Sequence, residues 1–189
     1  DVQGVVVLAT CNRFEVYLDA AGDDAATQAL AVVAAATGRS VPEIDGLLQL
    51  VRDGEVAHHL LRVAAGLSSA VVGEQEVRGQ VRRAVEVARA QATLSPALER
   101  LAIAALEAAR DVGRRTRLGN AGRSSVAVVL DLAEGLGVCW DRARAVIAGT
   151  GSYAGASLAQ LRGRGCHAIA AHSAPGRADG CAERHHVQA

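Results

Sequence analysis

Two short stretches near the start of the chain have strand character. Val5 to Ala9 is a continuous apolar run, and Phe14 to Leu18 alternates, with Phe14, Val16 and Leu18 on one face and Glu15 and Tyr17 on the other. The corner between them, Thr10 to Arg13, is polar. From Asp23 or Asp24, either suited to an N-cap, an Ala-rich helix is expected to run to Thr37, stop at Gly38 and pack by its Leu and Val positions. Asp53 is placed to cap a second helix through Leu67, ended by Gly66, Ser68 and Ser69. A third is expected from near Gly73 to about Ala92. Along it Val77, Val81, Val85 and Ala88 recur on one face, with Arg78, Arg82, Arg83 and Arg89 turned away. A solvated face is favoured for those arginines over a nucleic-acid surface. Ser95-Pro96 is an N-cap followed by Pro at the first helical position and opens a helix to about Arg117. A loop with Gly119, Asn120 and Gly122 then leads to a cap at Ser124 or Ser125 and a helix through Gly135.

Beyond residue 138 the texture changes. Ala143 to Ala148 reads as a buried strand, Gly149 to Ala154 as a Gly-rich turn, Ala154 to Arg164 as a helix and Cys166 to Ala171 as a second strand. The fold class is therefore α/β: an α+β domain over 1–138, followed over 139–189 by the beginning of a Rossmann-type domain. The turn Gly149-Thr150-Gly151-Ser152-Tyr153-Ala154 has the G-x-G-x-x-A pattern of a dinucleotide site. There the first Gly permits the tight turn, the second lets backbone approach a pyrophosphate, and the helix N-terminus binds the anion. An NAD site wants Asp or Glu about 20 residues on. This chain has Ala171-His172-Ser173-Ala174 and then Arg177, with no carboxylate before Asp179, which favours the 2′-phosphate of NADP.

Charge narrows the function classes. The 20 basic and 20 acidic residues cancel, so contact with RNA must be local rather than driven by a long-range field. Every basic residue is Arg, which excludes Schiff-base chemistry and a Lys-dependent phosphate loop within these residues. No apolar run approaches the roughly 18 to 20 residues of a membrane span. Neither a signal peptide nor an initiator Met is visible, and a segment of a longer, cytoplasmic protein is expected. Cys11, Cys139, Cys166 and Cys181 are too far apart for a Cys-x-x-Cys pair, and the six histidines lack ligand spacing, so no metal site is expected.

Cys11 stands beside Arg13 at the corner, and a neighbouring guanidinium lowers a thiol pKa from about 8.5 toward the nucleophilic thiolate. A thiol, an anion-binding Arg and an NADP turn in one chain outline a reductase that works through a thioester. The run Thr10-Cys11-Asn12-Arg13-Phe14-Glu15-Val16-Tyr17 resembles the nucleophile motif of the glutamyl-tRNA reductase family. The blocks His59 to Ser69 and Val72 to Val81 resemble its second signature. That resemblance implies that Cys11 attacks the ester joining glutamate to its tRNA, that NADPH delivers hydride, and that glutamate-1-semialdehyde leaves, opening tetrapyrrole synthesis. It implies a glutamate pocket of Thr10, Asn12, Arg13, Ser69, Glu74, Gln75, Glu76 and Gln80, with His59 as a proton shuttle. It implies cofactor contacts at Gly149, Thr150, Gly151, Ser152, Tyr153 and Ala154.

The family also implies glutamyl-tRNA as substrate, the enzyme that consumes the aldehyde, glutamate-1-semialdehyde aminomutase, as a partner, and a homodimer for the full-length protein only. Departures from its pattern are Gln75-Glu76 in place of Pro-Gln, Ser68 in place of Asp, and His172-Ser173-Ala174 in place of Asn-Arg-Thr. With further strands expected before residue 1 and after residue 171, these residues alone are expected to be poorly stable and unable to bind NADPH properly or to dimerise. The competing readings are a noncatalytic glutamyl-tRNA-binding module and a thiol-dependent reductase of another acyl donor.

Overall fold

In the computed structural model, residues 1–10, 12–22, 24–74, 76–116, 124–150 and 152–173 are described, Ser152 by its backbone alone. Strands β1 (Val2–Ala9) and β2 (Phe14–Ala20) form an antiparallel hairpin in which Val6 faces Tyr17, Val7 faces Val16 and Leu8 faces Glu15. Alternation along each strand puts Val6, Leu8, Glu15 and Tyr17 on one side. That side is the covered one: Val6, Leu8 and Tyr17 are buried, whereas Val7 and Phe14 on the other face are exposed. The face of Phe14, Val16 and Leu18 is thus the outer one.

Helices α3 (Gly54–Ala64), α4 (Glu76–Ala90) and α5 (Pro96–Arg115) pack on the covered side. The apolar ridge predicted for α4 is the buried one, Val77, Val81, Val85 and Ala88. On α5 the buried positions are Leu98, Ala102, Ala105 and Ala109, mostly small residues that let the helix approach its neighbours closely. Ser95 caps α5 as expected, its Oγ accepting from the Leu98 N–H at 3.2 Å. The turn before it is stitched to the sheet edge, where Val5 N–H donates to the Thr93 carbonyl at 2.7 Å and the Thr93 hydroxyl to the Val5 carbonyl at 3.0 Å.

Several local expectations change. α1 (Asp24–Thr37), which neighbours α2 and β2, buries Ala25 and Ala34 rather than its Leu and Val positions, and Val32 is exposed. Asp23 lies outside the described residues. A short helix α2 (Val41–Asp45) was not expected, although its signal is present: Ser40 N–H and Oγ both donate to the Glu43 carboxylate in the arrangement of a capping box. Asp53 precedes α3 but its side chain makes no capping bond, its φ of 53° being left-handed. α3 stops at Ala64, three residues short of Leu67, because Gly66 turns left-handed; α4 begins at Glu76, since Gly73 has φ of 88°.

The residues fall into two compact units, Asp1–Gly122 and Arg123–Ala189. This division precedes the change of texture at 138/139, because α6 (Ser125–Gly135), capped by Ser124, packs on α7 (Ser152–Gly163). In the second unit β3 (Arg144–Ala148) and β4 (Ala168–His172) pair in parallel through α7, a β-α-β unit. α7 begins at Ser152 and β4 at Ala168, so Cys166 lies ahead of its strand, fully buried with Leu158, Leu161 and Ile169. Arg164 clamps α6 to α7, donating to Asp131 at 2.5 Å and Gln160 Oε1 at 2.6 Å. The predicted loop at 119–122 lies outside the described residues. Among the described residues no helix is long and apolar enough to cross a membrane.

Candidate functional site

The hairpin positions the polar corner. Thr10 N–H donates to the Arg13 carbonyl at 2.8 Å, and the Thr10 hydroxyl accepts from the Asn12 N–H at 3.3 Å. Cys11 lies outside the described residues. Arg13 points to the helix-covered side, where Nη1 donates to Glu15 Oε1 and Nη2 to the Ser68 carbonyl at 2.6 Å. His59, on α3, brings Nε2 to 2.9 Å from the same Glu15 Oε1, and the Tyr17 hydroxyl donates to Oε2 at 2.5 Å. Sequence reasoning had not assigned Glu15 a role, yet it is the hub of the cluster. Its signal was available: a carboxylate on the same strand face as Tyr17, two positions from Arg13, is a charge aimed inward.

Glu15 is only 17% exposed. Burial alone would push its carboxyl up, but the hydrogen bonds from Tyr17, Arg13 and His59 outweigh it and hold the group below the usual range. Tyr17 moves the other way, raised by burial and by giving its proton to a carboxylate. An ionised carboxylate only accepts, so Nε2 of His59 carries the hydrogen and, in the neutral ring, Nδ1 is left as the acceptor. The guanidinium of Arg13 keeps three N–H groups beyond the two in use. Its charge is offset by the Glu15 carboxylate it contacts.

The remaining pocket residues divide. Ser69 Oγ is buried without a hydrogen-bond partner among the described residues. Glu74 is buried, but with Gly73 it lines a cleft against α4 and α5 whose walls include neither Arg13 nor His59. Glu76 begins α4, where burial and then the neighbouring Glu74 charge raise its pKa. Gln80 is half-buried on α4, and Gln75 lies outside the described residues.

The loop from Gly66 to Glu74 is tight. Gly73 N–H donates back to the Gly66 carbonyl at 3.0 Å, and a Cβ on Gly66, with φ of 72°, would stand 2.8 Å from the Glu74 carbonyl oxygen. Gly66→Ala is expected to destabilise the fold by about 2 kcal/mol or more, read from the urea midpoint.

In the second unit Gly149 ends β3 with φ of 121°, open space where a Cβ would sit, and its N–H bonded to the His172 carbonyl at 2.7 Å. Thr150 follows, α7 opens at Ser152, Tyr153 is half-buried and Ala154 is buried. Gly151 lies outside the described residues, as do Ala174 and Arg177. His172 is exposed and Ser173 half-buried at the end of β4. Among the described residues no group of His, Cys, Asp and Glu is placed to hold a metal ion.

The hairpin corner carries a Thr-Cys-Asn-Arg run in sequence, and Arg13 of that corner and His59 of α3 meet on the Glu15 carboxylate within an α+β domain. Comparison with known proteins names the family. The model of "Glutamyl-tRNAGlu reductase, N-terminal domain" matches residues 1–116, and the chain belongs to that family. It is 46% identical over its whole length to the glutamyl-tRNA reductase of Clavibacter michiganensis subsp. michiganensis, and 47% identical over 95% of its length to that of Pseudarthrobacter chlorophenolicus. It spans 44% and 42% of those proteins, less than half of the curated relatives it matches. Among solved structures, the glutamyl-tRNA reductase from Methanopyrus kandleri is similar over 99% of this chain and 44% of its own, with a TM-score of 0.57 and 28% identity.

Proposed function

We propose that this chain carries the acyl-transfer half of an NADPH-dependent glutamyl-tRNA reductase, with the start of its cofactor domain in the β3-α7-β4 unit. The observation that carries the reading is the Arg13–Glu15–His59 cluster at the corner that holds Cys11 in sequence. In this reading the Cys11 thiolate attacks the ester carbonyl of glutamyl-tRNA. A C–S bond forms, the C–O bond to the terminal ribose breaks, and the ribose oxygen leaves with a proton. In this reading His59 takes the thiol proton at Nδ1 and passes it to that oxygen, while Glu15 holds the ring in one tautomer, the part a carboxylate plays in nucleophile–base–carboxylate sets. The free N–H groups of Arg13 and the unpartnered Ser69 hydroxyl receive the substrate's polar groups, and the Thr10 and Asn12 corner completes the pocket.

The residues at the Gly-rich turn suit a dinucleotide. Gly149 adopts a backbone that side-chain-bearing residues rarely take, with room above it, at the mouth of the helix N-terminus of α7. NADPH, when bound, supplies the hydride that turns the glutamyl thioester into glutamate-1-semialdehyde and frees Cys11. The absence of an acid at the end of β4, where His172 and Ser173 stand instead, favours the phosphorylated ribose. The full-length protein is read as cytoplasmic and homodimeric, working beside the enzyme that consumes the aldehyde.

The test is peptide mapping and intact mass after mixing the chain with glutamyl-tRNA in the absence of NADPH. A glutamyl adduct on Cys11 that hydroxylamine removes is the expected result. A folded chain that binds glutamyl-tRNA but forms no adduct would overturn the catalytic reading in favour of a binding module.

A further inference from the structure

We propose that the cleft between the loop 66–74 and the C-terminal end of α5 binds a backbone phosphate of the RNA substrate. The proposal rests on the glutamyl-tRNA reading above and extends it to a surface that reading does not use. The cleft has a volume of about 180 Å³ and is lined by Glu74, Arg78 of α4, and Arg110 and Arg114 of α5, with Ala109 and Val112 between them. Arg110 and Arg114 are one helical turn apart and so share a face. Guanidinium groups are charged at every working pH and match phosphate oxygens with two parallel N–H donors. Among the described residues none of these three arginines enters an ion pair or side-chain hydrogen bond. Glu74 contributes the one carboxylate of the wall, against three guanidinium charges.

Position gives the occupant. The loop that ends at Gly73 and Glu74 in the cleft wall is the same loop whose Ser68 carbonyl receives Arg13, and the Gly73-to-Gly66 bond keeps it compact. The proposal has the RNA, with its acylated end at the Thr10–Arg13 corner, cross that loop to the cleft. In a protein of zero formal charge a local cluster of this kind, rather than a general field, supplies the phosphate attraction. The small aliphatic residues between the arginines suit the apolar face of a ribose.

The experiment measures the affinity of uncharged glutamate tRNA for the full chain across a salt series, with R110Q/R114Q, R78Q and the exposed R142Q, which is not part of the cleft wall. Because Arg110 and Arg114 are exposed, their replacement is expected to leave the melting curve in place. R110Q/R114Q is expected to weaken binding about tenfold or more and to flatten the salt slope by about 1 per arginine removed. R78Q, on a different helix, is expected to weaken it in the same sense, and R142Q to leave it unchanged. Wild-type affinity and slope in R110Q/R114Q would overturn the proposal. So would losses equalled by R142Q. The Cys11 adduct separates this failure from the other: an adduct forming in R110Q/R114Q at unaltered tRNA concentrations removes the cleft alone, whereas a wild-type chain with neither adduct nor tRNA binding removes both.

Discussion

Replacing Cys11 by Ser is expected to abolish the hydroxylamine-sensitive glutamyl adduct and to lower acyl transfer by about 10,000-fold or more. A hydroxyl is a far weaker nucleophile at neutral pH than a thiol, and an ester on oxygen resists the hydroxylamine and hydride that a thioester accepts. Nothing in the cluster of Arg13, Glu15 and His59 rescues serine, because Glu15 cancels much of the guanidinium charge that would stabilise an alkoxide. Binding of glutamyl-tRNA is expected to survive the substitution. Rapid-quench measurement of acyl-enzyme, with tRNA affinity measured in parallel, separates chemistry from binding. Transfer by Cys11→Ser at the wild-type rate would assign the reaction to another group.

Replacing Glu15 by Ala is expected to cost about 3 kcal/mol of stability, since a guanidinium only 16% exposed loses its carboxylate and the Tyr17 hydroxyl its acceptor. Glu15→Gln keeps the shape but presents an amide N–H₂ to donors, so His59 loses its fixed tautomer and acyl transfer is expected to fall about 100-fold. The pH dependence follows from the lowered carboxyl. The stabilisation is complete above the unfolded value of 4.5 and is lost as pH falls through the lower folded value. Urea midpoints followed from neutral pH down to well below 4.5 are therefore expected to show an acid limb in the wild type that Glu15→Gln flattens. A limb of equal steepness in both would place the acid-sensitive interaction elsewhere.

Much of the candidate site is legible along the chain, and the parts that are not have a common cause. Thr10, Asn12, Arg13 and His59 stand out because their residue types and order match a motif, and the structure joins Arg13 to His59 through Glu15. Glu15 itself went unread because its importance lies in partners on β2 and on α3, the latter 44 positions away. Glu74 is grouped with the glutamate pocket by its place in a signature; in the structure it follows the left-handed Gly73 and lines the cleft bordered by α4 and α5.

What the residues determined by themselves is local. The ridge of Val77, Val81, Val85 and Ala88, the caps at Ser95 and Ser124, and the glycine that ends β3 depend on contacts within about one helical turn or one strand pair. Tertiary structure decided which side of the hairpin faces inward, because alternation defines two faces but only α3, α4 and α5 choose the one to cover. It decided as well that α1 is held by Ala25 and Ala34, and that three arginines from two helices meet beside Glu74. Hydrophobic periodicity says which residues can be buried together; the distance at which a distant helix packs says which of them are.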